Sequence, residues 1–120
     1  MKRLLLLGCL ALAACSPLLT SAPVAAPDPL GATLTQDAGP NYTTLIYLPG
    51  KAVTRETVAH LVGPALRVND ARCSPEPAGL ACHLGVVAIN ERRVIYVSGL
   101  SSASLDALRP DGSKVHIYLK

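Results

Sequence analysis

The chain predicts a small α+β domain with the element order β-α-β-β-α-β, closed by one disulfide. Three observations predict it. The strings Ile46-Tyr47-Leu48, Ile95-Tyr96-Val97 and Ile117-Tyr118-Leu119 have the β-branched and aromatic composition of strands. The first two are each followed by a glycine, Gly50 or Gly99, and then by the opening signal of a helix. Cys73 and Cys82 bracket a loop of turn formers. With no Phe and no Trp, the core must be built mainly from Val, Leu, Ile and Ala. A domain this small often needs a covalent staple.

At the N-terminus, Lys2-Arg3 make a positive start and Leu4 to Ala14 an eleven-residue apolar run. This is the layout of a secretory signal peptide, and it falls short of the roughly 20 residues that span a bilayer. The run ends in Leu12-Ala13-Ala14-Cys15, with Ser16 after it. That string resembles the lipobox of bacterial lipoproteins. The resemblance implies cleavage after Ala14, with Cys15 becoming the first residue and carrying fatty acyl chains on its sulfur and its amino group. Ala11-Leu12-Ala13 is the alternative site, for an ordinary signal peptide. In the resembled lipoproteins of diderm bacteria, an Asp after the Cys favours inner-membrane retention. Ser16 stands there instead, which leans toward the outer membrane. The implied location is the cell envelope, with the lipid bilayer as a partner through acylated Cys15.

Removing residues 1–14 takes away two of the eleven basic residues, so nine face eight acidic ones and the mature net charge is +1. Nucleic-acid binding needs Lys and Arg clustered on one face, so no nucleic-acid partner is expected. From 15 to 41 the chain is rich in Pro, Ala, Thr and Ser, with Pro17, Pro23, Pro27, Pro29 and Pro40 in no regular period. Such a stretch cannot bury enough apolar area to offset the entropy of ordering it. It predicts a flexible tether, and its 26 residues after Cys15 reach about 80 Å in polyproline geometry. Thr33-Leu34-Thr35 is where part of it could pack instead as an edge strand. The folded domain is placed at 42–120.

Within that domain, Thr54 reads as the cap of a first helix, with Val53 and Val58 as a hydrophobic staple. Val58, Leu61, Val62 and Ala65 lie at helical spacing, and Gly63-Pro64 ends the helix. The second helix takes Ser101 as cap, Leu105 and Leu108 on one face, and Pro110 as its stop. Strand Leu84 to Ile89 closes the first half and leads into a hairpin at Asn90-Glu91, and strand Lys114 to Leu119 closes the second after a Pro110-Asp111-Gly112 turn. The order resembles the ferredoxin-like split βαβ arrangement in topology. The alternative is a three-stranded antiparallel meander with one packed helix, with Leu66 to Arg72 as a further strand.

In a secreted chain, Cys73 and Cys82 are most simply a disulfide. Metal binding by Cys73, Cys82 and His83 lacks tight ligand spacing and a fourth ligand, so neither metal nor cofactor is expected. His60, His83 and His116 stand in no recognised motif. Ser98-Gly99-Leu100-Ser101-Ser102 resembles a nucleophile turn but lacks the G-x-S-x-G order. The first functional expectation is therefore a membrane-anchored, non-enzymatic binding or assembly module of the envelope. It would meet another envelope protein through strand edges or a face bearing Tyr47, Tyr96 and Tyr118. The alternative is a small periplasmic or surface-exposed hydrolase using His and Ser.

Overall fold

A computed structural model describes residues 27–119, and within them every regular element is a strand. In chain order these are β1 (Thr33–Ala38), β2 (Thr43–Leu48), β3 (Thr54–Val62), β4 (Cys73–Glu76), β5 (Gly79–Val87), β6 (Arg93–Val97), β7 (Ser102–Leu108) and β8 (Lys114–Tyr118). They form a five-stranded antiparallel sheet in the order β8-β7-β3-β5-β4 and a three-stranded one in the order β1-β2-β6. Both sheets contribute to one apolar core, with Leu34, Leu45, Tyr47 and Ile95 from the smaller and Ala59, Leu61, Leu105 and Val115 from the larger.

The α+β expectation is thus overturned, and with it the alternative of a meander carrying a helix. The segment expected to be the first helix is β3. Its buried side chains are Thr54, Thr57, Ala59 and Leu61, while Val62 is exposed. From Thr57 onward that is the two-residue period of a strand, not the stripe of a helix. The period is masked in the sequence by a bulge between Arg55 and Val58, where Glu56 takes a φ of 49°. The segment expected to be the second helix is β7, which buries Ala103, Leu105 and Ala107. Ala and Leu favour helices when isolated. Here pairing with β3 on one side and β8 on the other decides, because both neighbours offer a full ladder of backbone partners. Leu66 to Arg72 is a loop, tied down by one bridge from Arg67 to Ser98.

The internal echo is real in a different form. Each half runs strand, glycine, strand, and crosses from the smaller sheet to the larger: β2 through Gly50 to β3, and β6 through Gly99 to β7. β2 pairs with β6 in one sheet and β3 with β7 in the other. Gly50 and Gly99 sit at φ of 83° and 76°, and a Cβ on either would lie 2.1 Å from a backbone oxygen, that of Leu30 or Ala65. Only glycine fits such a corner. The Pro110-Asp111-Gly112 turn is present, closed by the Gly112 amide donating to the Arg109 carbonyl. Ala88 to Glu91 also forms a turn, but β5 and β6 on either side of it belong to different sheets.

The folded part begins upstream of residue 42. Thr33–Ala38 forms edge strand β1, with Leu34 buried. Asp28 is held in place by Arg109, whose Nη2 donates to Asp28 Oδ2 at 2.7 Å with both side chains almost fully buried. Asp28 Oδ2 also accepts from the amides of Leu30 and Ala32. Arg109 donates further to the carbonyls of Ala52 and Pro49. One guanidinium therefore clips three segments together: the residues before β1, the corner after β2 and the end of β7.

Cys73 and Cys82 are bonded, S–S 2.03 Å, and face each other directly across β4 and β5. A thiol count on the folded protein is expected to find neither reactive until a reductant is added, and free thiol before reduction would contradict the bond. Tyr47 is the largest fully buried side chain. Its hydroxyl donates to Thr54 Oγ1 at 3.0 Å, and Thr54 and Thr57 hydroxyls lie 3.1 Å apart, so the buried polar atoms satisfy one another. Burial holds the Tyr47 phenol above its ordinary value of 10.0, against the opposing effect of the Thr54 bond. The unfolded chain gives up that proton first. The Tyr47 contribution to stability is therefore complete below about pH 10 and declines as the pH rises further. Alkaline titration of tyrosinate absorbance is expected to show one phenol that ionises late in the folded protein, and Tyr47→Phe is expected to remove it.

Candidate functional site

The outer face of the five-stranded sheet carries a row of polar side chains contributed by four strands. Strand alternation places them there. β3 turns Ala59 and Leu61 inward, so His60 points out; β7 turns Leu105 and Ala107 inward, so Asp106 points out. On β8, Val115 and Ile117 are buried, leaving His116 and Tyr118 on the same outer face. Glu76, on edge strand β4 in register with Gly79 of β5, also reaches the row.

These five groups are in continuous contact. Both Glu76 oxygens lie 3.1 Å from His60 Nδ1. His60 Nε2 lies 3.1 Å from Asp106 Oδ2, and Asp106 Oδ1 lies 2.5 Å from His116 Nδ1. His116 Nε2 is 3.0 Å from the Tyr118 hydroxyl, and the two rings stack edge to face. The proton count along the row has a consequence. His116 with its proton on Nδ1 donates to Asp106 and accepts from Tyr118, which satisfies every partner. His60 faces a carboxylate at each nitrogen. It donates to both only when doubly protonated; the neutral ring can serve one of them. The row is half open to water, so its contacts contribute modestly to stability.

The sheet face is open. Beside the row lies a shallow depression lined by Glu56, Asp106, Ala107, Leu108, Lys114 and Val115. Among the described residues no Ser, Thr or Cys side chain is hydrogen-bonded to any histidine. No group of three or more His, Cys, Asp or Glu residues among them is placed to hold a metal ion.

The three tyrosines expected to form one surface are dispersed. Tyr47 lies in the core at 1 % exposure, because β2 turns it inward opposite Leu34 of β1. Tyr96 is exposed on the smaller sheet, edge to face with Tyr42 at 5.5 Å between centroids. Tyr118 is exposed on the larger sheet, on the opposite side of the core. His83 points outward beside the disulfide and takes no part in the row. Cys15 and its lipobox lie outside the described residues, as do Ser16 and the first part of the tether. The histidine row itself was visible only in part. His116 and Tyr118 stand two apart on a recognised strand, but His60 and Asp106 belong to segments whose sequence favours helices.

Comparison with family models, with curated proteins and with solved structures gives no match.

Proposed function

We propose that this protein is a lipid-anchored lipoprotein of the cell envelope, attached through Cys15, whose folded domain is a non-enzymatic binding module. Its contact surface is the outer face of the five-stranded sheet. Support for the anchor comes from the sequence, where small residues and Cys15 arrive together at the end of an eleven-residue apolar run. Support for the surface rests on one observation: a continuous row from Glu76 through His60, Asp106 and His116 to Tyr118 on a half-exposed sheet face. The hydrolase alternative calls for a Ser nucleophile hydrogen-bonded to a histidine, and among the described residues no Ser, Thr or Cys side chain is so placed. The side chains of the row hold one another in position instead. Such groups present fixed charge and hydrogen-bonding capacity to a partner.

Each half has its own test. Cys15→Ala is expected to release the protein from membranes or leave it as an unprocessed precursor; unchanged mass and fractionation would refute lipidation. For the surface, Asp106→Ala removes the acceptor shared by both histidines. Its effect on folding is expected to stay below about 1 kcal/mol, since the groups are half exposed. Tagged wild-type protein is expected to retain an envelope protein from detergent-solubilised membranes, and Asp106→Ala and Tyr118→Ala to lose it. Equal retention by all three would remove this face from consideration.

A further inference from the structure

We infer that the pole at which the tether enters the domain is a docking surface for anionic lipid, so that the anchored domain lies with this end on its own membrane. The proposal rests on the lipidation of Cys15. The pole is assembled from three loops that Arg109 gathers: the residues before β1, the corner Pro49–Val53, and the hairpin after β7. The Lys51 amide donates to the Leu30 carbonyl at 2.8 Å, which seats Lys51 beside the incoming chain. The Ala88–Glu91 turn joins them, because Val87 is the register partner of Thr54.

This end exposes aliphatic side chains and two cations. Ile89 and Leu48 are 56 % and 44 % exposed, and Lys51 and Arg92 stand in solvent. Neither cation is in an ion pair among the described residues. Of the acids nearby, Asp28 is buried against Arg109 and Glu91 is paired with Arg93, while Asp111, which accepts from the amide and the hydroxyl of Ser113, is left as an exposed anion. Unpaired cations beside exposed aliphatic side chains are the chemistry that an anionic bilayer surface takes.

The length of the connecting chain makes weak contacts sufficient. Eleven residues separate Cys15 from Pro27, the first described residue, so the pole stays within about 40 Å of the acyl chains even if they are fully extended. Confinement at that range gives an effective concentration on the order of millimolar. A surface too weak to recruit a free protein can therefore hold a tethered one.

Because the chain has no Trp, a single introduced indole reports alone. The lipidated full-length protein carrying Ile89→Trp is reconstituted into phosphatidylcholine vesicles and into phosphatidylcholine–phosphatidylglycerol vesicles. With the anionic lipid the emission is expected to shift to the blue and to be quenched by brominated acyl chains. Adding Lys51→Glu and Arg92→Glu is expected to abolish both effects. Tyr42→Trp, at the opposite end of β2, is expected to show neither. Identical Ile89→Trp emission on the two vesicle types, with acylated Cys15 confirmed by mass, would overturn the docking and leave the lipoprotein reading standing. A bare Cys15 would bring down both. A blue shift that follows protein concentration rather than anionic lipid would assign the pole to a second copy of the chain, and would also overturn the proposal.

Discussion

Asp28→Ala is expected to lower the unfolding free energy by about 3–5 kcal/mol, the cost of leaving a buried charge without its partner. The guanidinium of Arg109 would remain in place with the carbonyls of Ala52 and Pro49, which carry no formal charge to balance it. The amides of Leu30 and Ala32 would lose their shared acceptor in the same step. Burial shields the pair from screening, so the loss should persist at high salt. Arg109→Lys should recover little, because an ammonium cannot serve three acceptors in the guanidinium geometry. Replacing both partners with apolar residues should cost much less than either single change. The measurement is a urea midpoint at unchanged slope. If Asp28→Ala moved stability by less than about 1 kcal/mol, the segment before β1 would not be docked in solution.

Removing the disulfide as Cys73→Ala with Cys82→Ala is expected to cost about 2.5–3 kcal/mol, from the entropy of a closed loop of about ten residues. For a domain whose total stability is on the order of 5–15 kcal/mol, that is a large share. The loss should also be local. β4 is a four-residue edge strand whose ladder neighbour is β5 alone, so without the bond it should fray first. Glu76 would then leave His60, and one end of the polar row would dissolve. Hydrogen exchange is expected to show protection lost at the Ser74 and Glu76 amides while β3 and β7 keep theirs. Uniform loss across the sheet would mean that β4 is integral to the fold.

Several features could be read directly. The three Ile-Tyr strings lie in β2, β6 and β8, and the Pro110-Asp111-Gly112 turn stands where its residues put it. Those segments combine β-branched residues with local turn chemistry, so their preference survives without knowledge of neighbours. β3 and β7 did not yield to the same reasoning. In β7 the alternation of Ala103, Leu105 and Ala107 with Ser104 and Asp106 was present, but Ala and Leu made the same residues acceptable to a helix. In β3 the bulge at Arg55 and Glu56 shifted the phase. Asp28 and Arg109 lie 81 positions apart, and nothing local marks either as buried.

On its own the sequence determined the strand composition of β2, β6 and β8, the cysteine pair and the lipobox likeness, because each depends on residues close together in the chain. Tertiary structure alone decided that β3 and β7 are strands, that Tyr47 turns inward, and that His60, Asp106 and His116 meet. Those outcomes depend on which neighbours complete each backbone ladder and which side of the sheet faces the core. A period of two and a period of 3.6 place the same side chains on different faces, and only the assembled sheets select between them.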